Sequence, residues 1–386
     1  MQLPVYLDHA ATTPVAPEVL QAMAPFWERA FGNPSAIYTL GQEARHAVEH
    51  AREQVARLVH ADTDEVYFTS GGTESDNWAV KGVARAWGDR KNHLITTPIE
   101  HHAVLEACGS LREWGWEITF VPVDSTGLVD PEDVRRAITP RTGLISVMHA
   151  NNEVGTIEPI AEIGAIAREH GIPFHTDAVQ TVGKIPVDMD ALNVDMLTVS
   201  AHKLYGPKGV GALIVRRGTP IRPLLDGGGQ ERGRRGGTYN VPGIVGLGAA
   251  AERAMRYGAQ EMERVRALRD RLVEGIMERV PDAVLTGHPV QRLPHNAHLA
   301  FADVEGESLV LSLDAVGIYC SAGAACSSGD TEPSHVLVAM GIERRLIEGS
   351  VRFTLGKDNT PEQIDYTVEQ VARAVQKLRS LRVSRL

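Results

Sequence analysis

Between residues 65 and 215, short apolar, β-rich runs recur at 65–69, 93–97, 118–123, 143–149, 172–176, 194–199 and 209–215. Helical patterns or long turns separate them. That alternation constrains the fold more than any single residue does. Strands joined in this way pair mostly in parallel and are covered on both faces, so the sequence predicts an α/β fold built on a large, mostly parallel seven-stranded sheet. Apolar residues at helical spacing place helices over 18–29 and 42–59 before the sheet, and long ones over 244–257 and 260–279 after it. Beyond Pro281 the pattern changes. Strand candidates at 296–301 and 350–354 mix with helices at 308–315, 333–340 and 361–381, which predicts a smaller α+β unit with a boundary near residue 260.

The 386 residues, 43% of them apolar, are enough for two such cores. A formal net charge of −10 with no basic run argues against direct nucleic-acid binding. Cys108, Cys320 and Cys326 are too few and too scattered for a disulfide framework, which points to a reducing compartment. The start of the chain lacks the charged and apolar regions of a signal peptide, and its apolar runs are far too short for a bilayer. The expectation is a soluble cytoplasmic protein with no membrane contact.

Ligands of α/β sheets sit in loops at the carboxyl ends of the strands, and several of these loops are unusually polar. The run 194–199 leads into Ser200-Ala201-His202-Lys203 and a turn rich in Gly and Pro. A lysine there, beside groups able to hold an anion, suits a Schiff base to an aldehyde cofactor; the plain alternative is a surface lysine closing a turn. Gly71-Gly72-Thr73 lies between a strand and a helix, where backbone N–H groups can approach an anion. It has neither Walker nor dinucleotide spacing, so ATP and NAD are not favoured. Glu100-His101-His102 follows another strand, and a histidine there could cover a flat ring or move protons. Asn151-Asn152 either closes a turn or reaches a ligand. Asp177, followed by Gln180, leaves a buried strand and needs a cationic partner such as a protonated ring nitrogen.

His101, His102, His175 and His202 lack the spacing of a zinc site, so no metal is expected. Arg352, inside an apolar strand, needs an anion from the protein or from a substrate. The small residues around Cys326 suit an exposed thiol, whereas Cys320 and Cys108 look structural.

Taken together and in order, Leu7-Asp8-His9-Ala10-Ala11-Thr12-Thr13, Gly32-Asn33-Pro34-Ser35, Thr69-Ser70-Gly71-Gly72-Thr73-Glu74-Ser75, Glu100-His101, Asn151-Asn152-Glu153, Asp177-Ala178-Val179-Gln180, Ser200-Ala201-His202-Lys203, Gly227-Gly228-Gly229-Gln230, the loop around Cys326 and Val351-Arg352-Phe353 resemble the cysteine desulfurases of the NifS/IscS type. These are class V aminotransferase relatives, and the loop around Cys326 resembles their long form. Ala324, Thr331, Tyr38 and the stretch 234–239 depart from the usual pattern, which bears on loop and acceptor more than on chemistry.

The resemblance implies a fold type I pyridoxal 5'-phosphate enzyme, with a large cofactor-binding domain over 15–260. Residues 1–14 and 261–386 would form the small domain carrying the cysteine loop. It further implies that Lys203 holds the cofactor and shuttles a substrate proton, that Asp177 pairs with the ring nitrogen, and that His101 stacks on the ring. Gln180 would bond the ring hydroxyl. Gly72, Thr73, Ser200 and His202 would hold the phosphate, with Thr238 reaching across from a second subunit of a homodimer. Asn152 and Arg352 would orient cofactor and substrate. Cys326 would take sulfur from L-cysteine as a persulfide, leave L-alanine, and pass the sulfur to a protein acceptor such as an iron–sulfur scaffold or a sulfur carrier, for cluster assembly or for thiolation of transfer RNA or a cofactor. A selenocysteine lyase or another aminotransferase is the alternative with the same cofactor; a non-catalytic assembly scaffold is the rival of another class.

Overall fold

The computed structural model describes residues 3–322 and 333–383. Seven strands form the main sheet, in the spatial order Val66–Thr69, Gly211–Val215, Met196–Ser200, Phe174–Asp177, Thr142–Ser146, His93–Thr96 and Glu117–Phe120. Gly211–Val215 runs antiparallel to both neighbours, and every other pairing is parallel. The inner strands are buried along their whole length, which is why they read as unbroken apolar runs. Glu117–Phe120 closes one edge and is only partly covered.

Helices cover both faces. On one side Val48, Val55, Ile163 and Leu247 pack with Ile145 and Leu197; on the other Trp78, Val83, Leu111 and Trp116 pack with Leu94 and Leu213. A second, four-stranded antiparallel sheet has the order Ser321–Ala322, Ser350–Thr354, Asn296–Phe301, Ala283–Leu285. Its core also takes in Val5, Leu7 and Val371 from the two ends of the chain.

Two helix expectations need correcting. The segments 244–257 and 260–279 are one 39-residue helix, Val241–Arg279, whose early turns pack into the main core and whose later turns pack into the second. Gly258 does not break it. A Cβ there would lie 3.0 Å from the Gly183 carbonyl oxygen, so the glycine permits a close backbone approach within a continuous helix. Conversely, the helix expected over 18–29 is split into Pro17–Met23 and Pro25–Glu28, because Pro25 has no N–H to continue the ladder.

The carboxyl ends of the parallel strands, at Thr69, Thr96, Ser146, Asp177 and Ser200, share one rim of the sheet. The segment 9–13 crosses that rim: the Thr13 amide donates to the His202 carbonyl at 2.9 Å, and the Tyr205 amide donates to Thr13 Oγ1 at 2.9 Å. The sheet fixes where the polar loops emerge, and the crossing segment fixes how they face one another.

Candidate active site

Lys203 closes a short turn, Ala201–Lys203, straight after the Met196–Ser200 strand. Tyr205 takes up a left-handed conformation (φ 65°), and Gly206 then passes so near Ala201 that a Cβ would lie 2.8 Å from its carbonyl oxygen. This tight reversal keeps Lys203 partly buried. Its Nζ donates to the carbonyl oxygens of Ala10 and Ala11, the latter at 2.8 Å. Its charge acts on Asp177, His101, His202 and Lys184, so all four lie within its electrostatic reach.

Asp177 ends its strand buried, with Oδ1 accepting from the Val179 amide at 2.9 Å. Burial raises its pKa to about 6, against the opposing pull of that bond and of Lys203. Behind it lies a buried polar layer. His175 bonds Ser146 Oγ at 2.9 Å and Thr198 Oγ1 at 3.0 Å, and stands 3.6 Å from Asp76. Burial, then the neighbouring Asp177, hold the Asp76 carboxyl well above the ordinary range. Gln180, also buried, donates from Nε2 to the Ala10 carbonyl at 3.1 Å.

The Thr69–Gly72 turn feeds the 16-residue helix Gly72–Trp87, whose N-cap is Gly71. A Cβ on Gly72 would lie 3.1 Å from Val179 Cγ2 and 3.7 Å from Ser200 Cβ, so the structure brings Gly72, Ser200 and the Asp177–Gln180 loop together around one small cradle. Thr73 is exposed in the first turn, and His202 Nδ1 lies 3.1 Å from Thr12 Oγ1. Burial, then Lys203, Lys208 and Lys184, draw His202 down to about 4. Thr238 is exposed and lines a cavity with Ser70, Arg235 and Tyr239.

His101 caps the His102–Leu111 helix, its Nδ1 accepting from the Ala103 amide at 3.1 Å. Burial, then the charges of Lys203, His102 and His335, draw its pKa down to about 4. The ring is therefore neutral near pH 7, and since Nδ1 accepts, the proton sits on Nε2. The Asn151-Asn152 pair divides its work. Asn151 builds the turn, accepting from the Glu153 and Val154 amides at 2.9 and 3.0 Å, while the Asn152 carbonyl receives Arg352 at 3.0 Å. Arg352 finds its anion in Asp8, at 2.9 Å. The sequence left open whether that partner would come from the protein; it does.

Cys326 lies outside the described residues. Cys108 is fully buried and its thiol is pushed up by burial; Cys320 is raised to about 12 by burial, then Asp8. Neither forms a ready thiolate. Among the described residues no group of three side chains could hold a metal ion, and no helix is long and apolar enough to cross a membrane.

The description Aminotransferase class-V matches residues 5–367. The chain belongs to the class V aminotransferase family. It is 53% identical over 381 residues to the cysteine desulfurase IscS of Dictyoglomus turgidum, covering 99% of this chain and 97% of that protein. A solved NifS-like protein superposes with a TM-score of 0.92 at 41% identity, covering 97% of this chain and all of the other. SspA in complex with cysteine superposes with a TM-score of 0.81 at 39% identity, over 92% of this chain and all of that one. The expected fold type I architecture, with its seven-stranded sheet, stands.

The cofactor of this class V family member is pyridoxal 5'-phosphate, and the residues present fit it. A buried carboxylate (Asp177) suits a protonated ring nitrogen, and the Gly72 cradle at a helix N-terminus, rimmed by the Ser200 hydroxyl, suits a phosphate. Sequence reasoning missed Asp8, Asp76 and Lys184. Asp8 stands in a quoted motif but shows its partner only in three dimensions; the other two carry no local signal.

Proposed function

We infer that this chain is a pyridoxal 5'-phosphate-dependent cysteine desulfurase, converting L-cysteine to L-alanine. The observation that carries the reading is the meeting of Lys203 with Asp177 and His101 at one rim of the sheet. The IscS relatives and the cysteine complex of a similar structure name the substrate. When bound, the cofactor serves as an electron sink for the carbon next to the amino group.

The chain's own residues supply the rest. Asp177 holds the ring nitrogen's proton, and Gly72, Thr73, Ser200 and His202 hold the phosphate, with Thr238 completing it from a second copy. His101, neutral and protonated at Nε2, covers the ring; Gln180 bonds its hydroxyl. Lys203 Nζ binds the cofactor and moves the substrate proton. Asn152 and Arg352 orient the amino acid, the guanidinium gripping its carboxylate. Cys326 takes the sulfur: the substrate C–S bond breaks, an S–S bond forms on Cys326, and the thiol proton ends on the β-carbon of alanine. The atoms balance without an added oxidant.

A homodimer is the working unit in this reading. Trp27, Phe31, Ile37 and Tyr38 are 66, 67, 93 and 60% exposed within one short stretch, an apolar surface that a second copy would cover. We place the large domain at 15–260 and the small one at 1–14 with 261–386. The site of action is the cytoplasm, and the acceptor is a protein scaffold or sulfur carrier for iron–sulfur assembly or thiolation. Mass spectrometry after incubation with cysteine should find one added sulfur on Cys326. Cys326→Ala should keep the cofactor's absorbance and lose sulfide release; undiminished release would remove the persulfide from the mechanism.

A further inference from the structure

None of the roles above uses Lys184, yet it stands beside the residues that do. With Lys203, His9, Tyr205, Arg253 and His295 it lines a small cavity next to the Lys203 turn. Its Nζ lies 3.3 Å from the Gln180 carbonyl oxygen and 3.4 Å from Gln180 Oε1. An ammonium group can only donate. Of the two ways the Gln180 amide can face, the one with Oε1 towards Lys184 makes a hydrogen bond, and the other sets N–H against N–H. With Oε1 so placed, Nε2 donates to the Ala10 carbonyl at 3.1 Å, the same oxygen that accepts Lys203 Nζ. Reversing the amide would break both contacts at once, turning Oε1 against the Ala10 oxygen.

We propose that Lys184 is a positioning residue for the cofactor site, fixing the Gln180 amide with its N–H groups turned towards Ala10 and the ring hydroxyl, and setting a second positive charge beside the Lys203 nitrogen. This rests on the reading of Gln180 and Lys203 as cofactor contacts. The surroundings leave that charge little neutralised. Glu261, which shares the cavity, is paired with Arg253 at 3.0 Å. Lys203 and Arg352 face Lys184 as cations, and Lys184 in turn acts on His9, His202 and His295. Burial, followed by Lys203 and Arg352, draws the Lys184 ammonium down to about 7. The repulsion is mutual, so a charged Lys184 makes a proton on the Lys203 nitrogen harder to keep.

The test is a pH titration of the bound cofactor's absorbance in the purified holoenzyme. Lys184→Met and Lys184→Gln should each retain the cofactor and move the titration midpoint upward by about one pH unit, because a neighbouring cation is lost. Lys184→Arg should return the midpoint to within a few tenths of the unsubstituted value. Gln180→Leu separates the two layers of the argument. If Gln180→Leu leaves spectrum and midpoint unchanged, the placement of Gln180 at the cofactor is wrong. If Gln180→Leu alters them while both neutral Lys184 variants titrate like the parent, Lys184 has no such role.

Discussion

Two buried arginines, Arg52 and Arg352, sit in the same protein with almost the same exposure (2% and 4%) and opposite degrees of satisfaction. Arg52 is saturated. It grips Glu231 through both terminal nitrogens at 2.8 and 2.9 Å, donates to the Val66 carbonyl at 2.8 Å, turns Nε to Glu49, and lies over the Phe68 ring at 4.7 Å. Glu231 also accepts from the Phe68 amide at 3.0 Å. Arg352 is held by single bonds to Asp8, the Asn152 carbonyl and Ser321 Oγ, and its buried Nε has no partner among the described residues. A guanidinium whose donors are all taken ties two segments together. One with donors to spare has room for a further acceptor, which is what the proposed grip on a substrate carboxylate requires.

The largest effect that tests this contrast is on stability. Arg52→Met strands Glu231 as a buried charge and should cost about 3–5 kcal/mol in urea unfolding, with turnover per folded molecule little changed. A loss below about 1 kcal/mol would mean that Glu231 finds water or a proton cheaply, and that Arg52 is not the tie described. Arg352→Met reverses the pattern. The Asp8 side chain is 18% exposed and can rehydrate, so stability should fall by only about 1 kcal/mol. The ratio kcat/KM for cysteine should fall on the order of 100-fold, for want of a charge-assisted grip. Equal losses of stability and activity in both variants would erase the distinction.

That contrast also marks how far the sequence could be read. The seven strands of the main sheet were legible because six are buried runs bounded by turn residues and the seventh, the edge strand Glu117–Phe120, is a short β-rich run; the site loops were legible because they leave those strands at one end. A lone arginine in the 350–354 strand announced the need for an anion. Nothing nearby announced which one, because Asp8 comes from 344 residues away. The strands Val5–Tyr6 and Ile318–Tyr319 are too short for any periodicity to show, and they exist by pairing with each other. The continuity of Val241–Arg279 was hidden by Gly258, whose reason is the Gly183 backbone it meets. Lys184 and Asp76 lie in segments that look ordinary; burial beside Lys203 and Asp177 is what makes them matter.

Asp8 offers a finer cut. If it occupies the guanidinium that the substrate carboxylate needs, the two anions compete. Asp8→Asn should then lower KM for cysteine by roughly threefold, since a partly exposed ion pair is worth under about 1 kcal/mol, with kcat little moved. Initial rates against cysteine concentration decide it: a raised KM would show that Asp8 aims Arg352 and does not block it.

Glu100 completes the comparison as an acid that pairs with no arginine among the described residues. Its carboxylate accepts from the Met148 amide at 2.9 Å and the Thr97 hydroxyl at 2.8 Å, yet burial pushes its pKa up to about 8. A carboxyl that titrates higher in the folded chain binds its proton more tightly there than in the unfolded chain. Stability is therefore lost as pH rises from the ordinary carboxylate range through about 8, the reverse of what a salt-bridged acid does. Glu100→Gln removes that dependence while keeping a group of the same shape. Between pH 5 and pH 8 the variant's melting temperature should fall less than the parent's, by roughly 2–4 °C. Parallel melting curves across that range would place the Glu100 charge in a solvated or paired setting, and the neighbouring His101 loop would then rest on a different support.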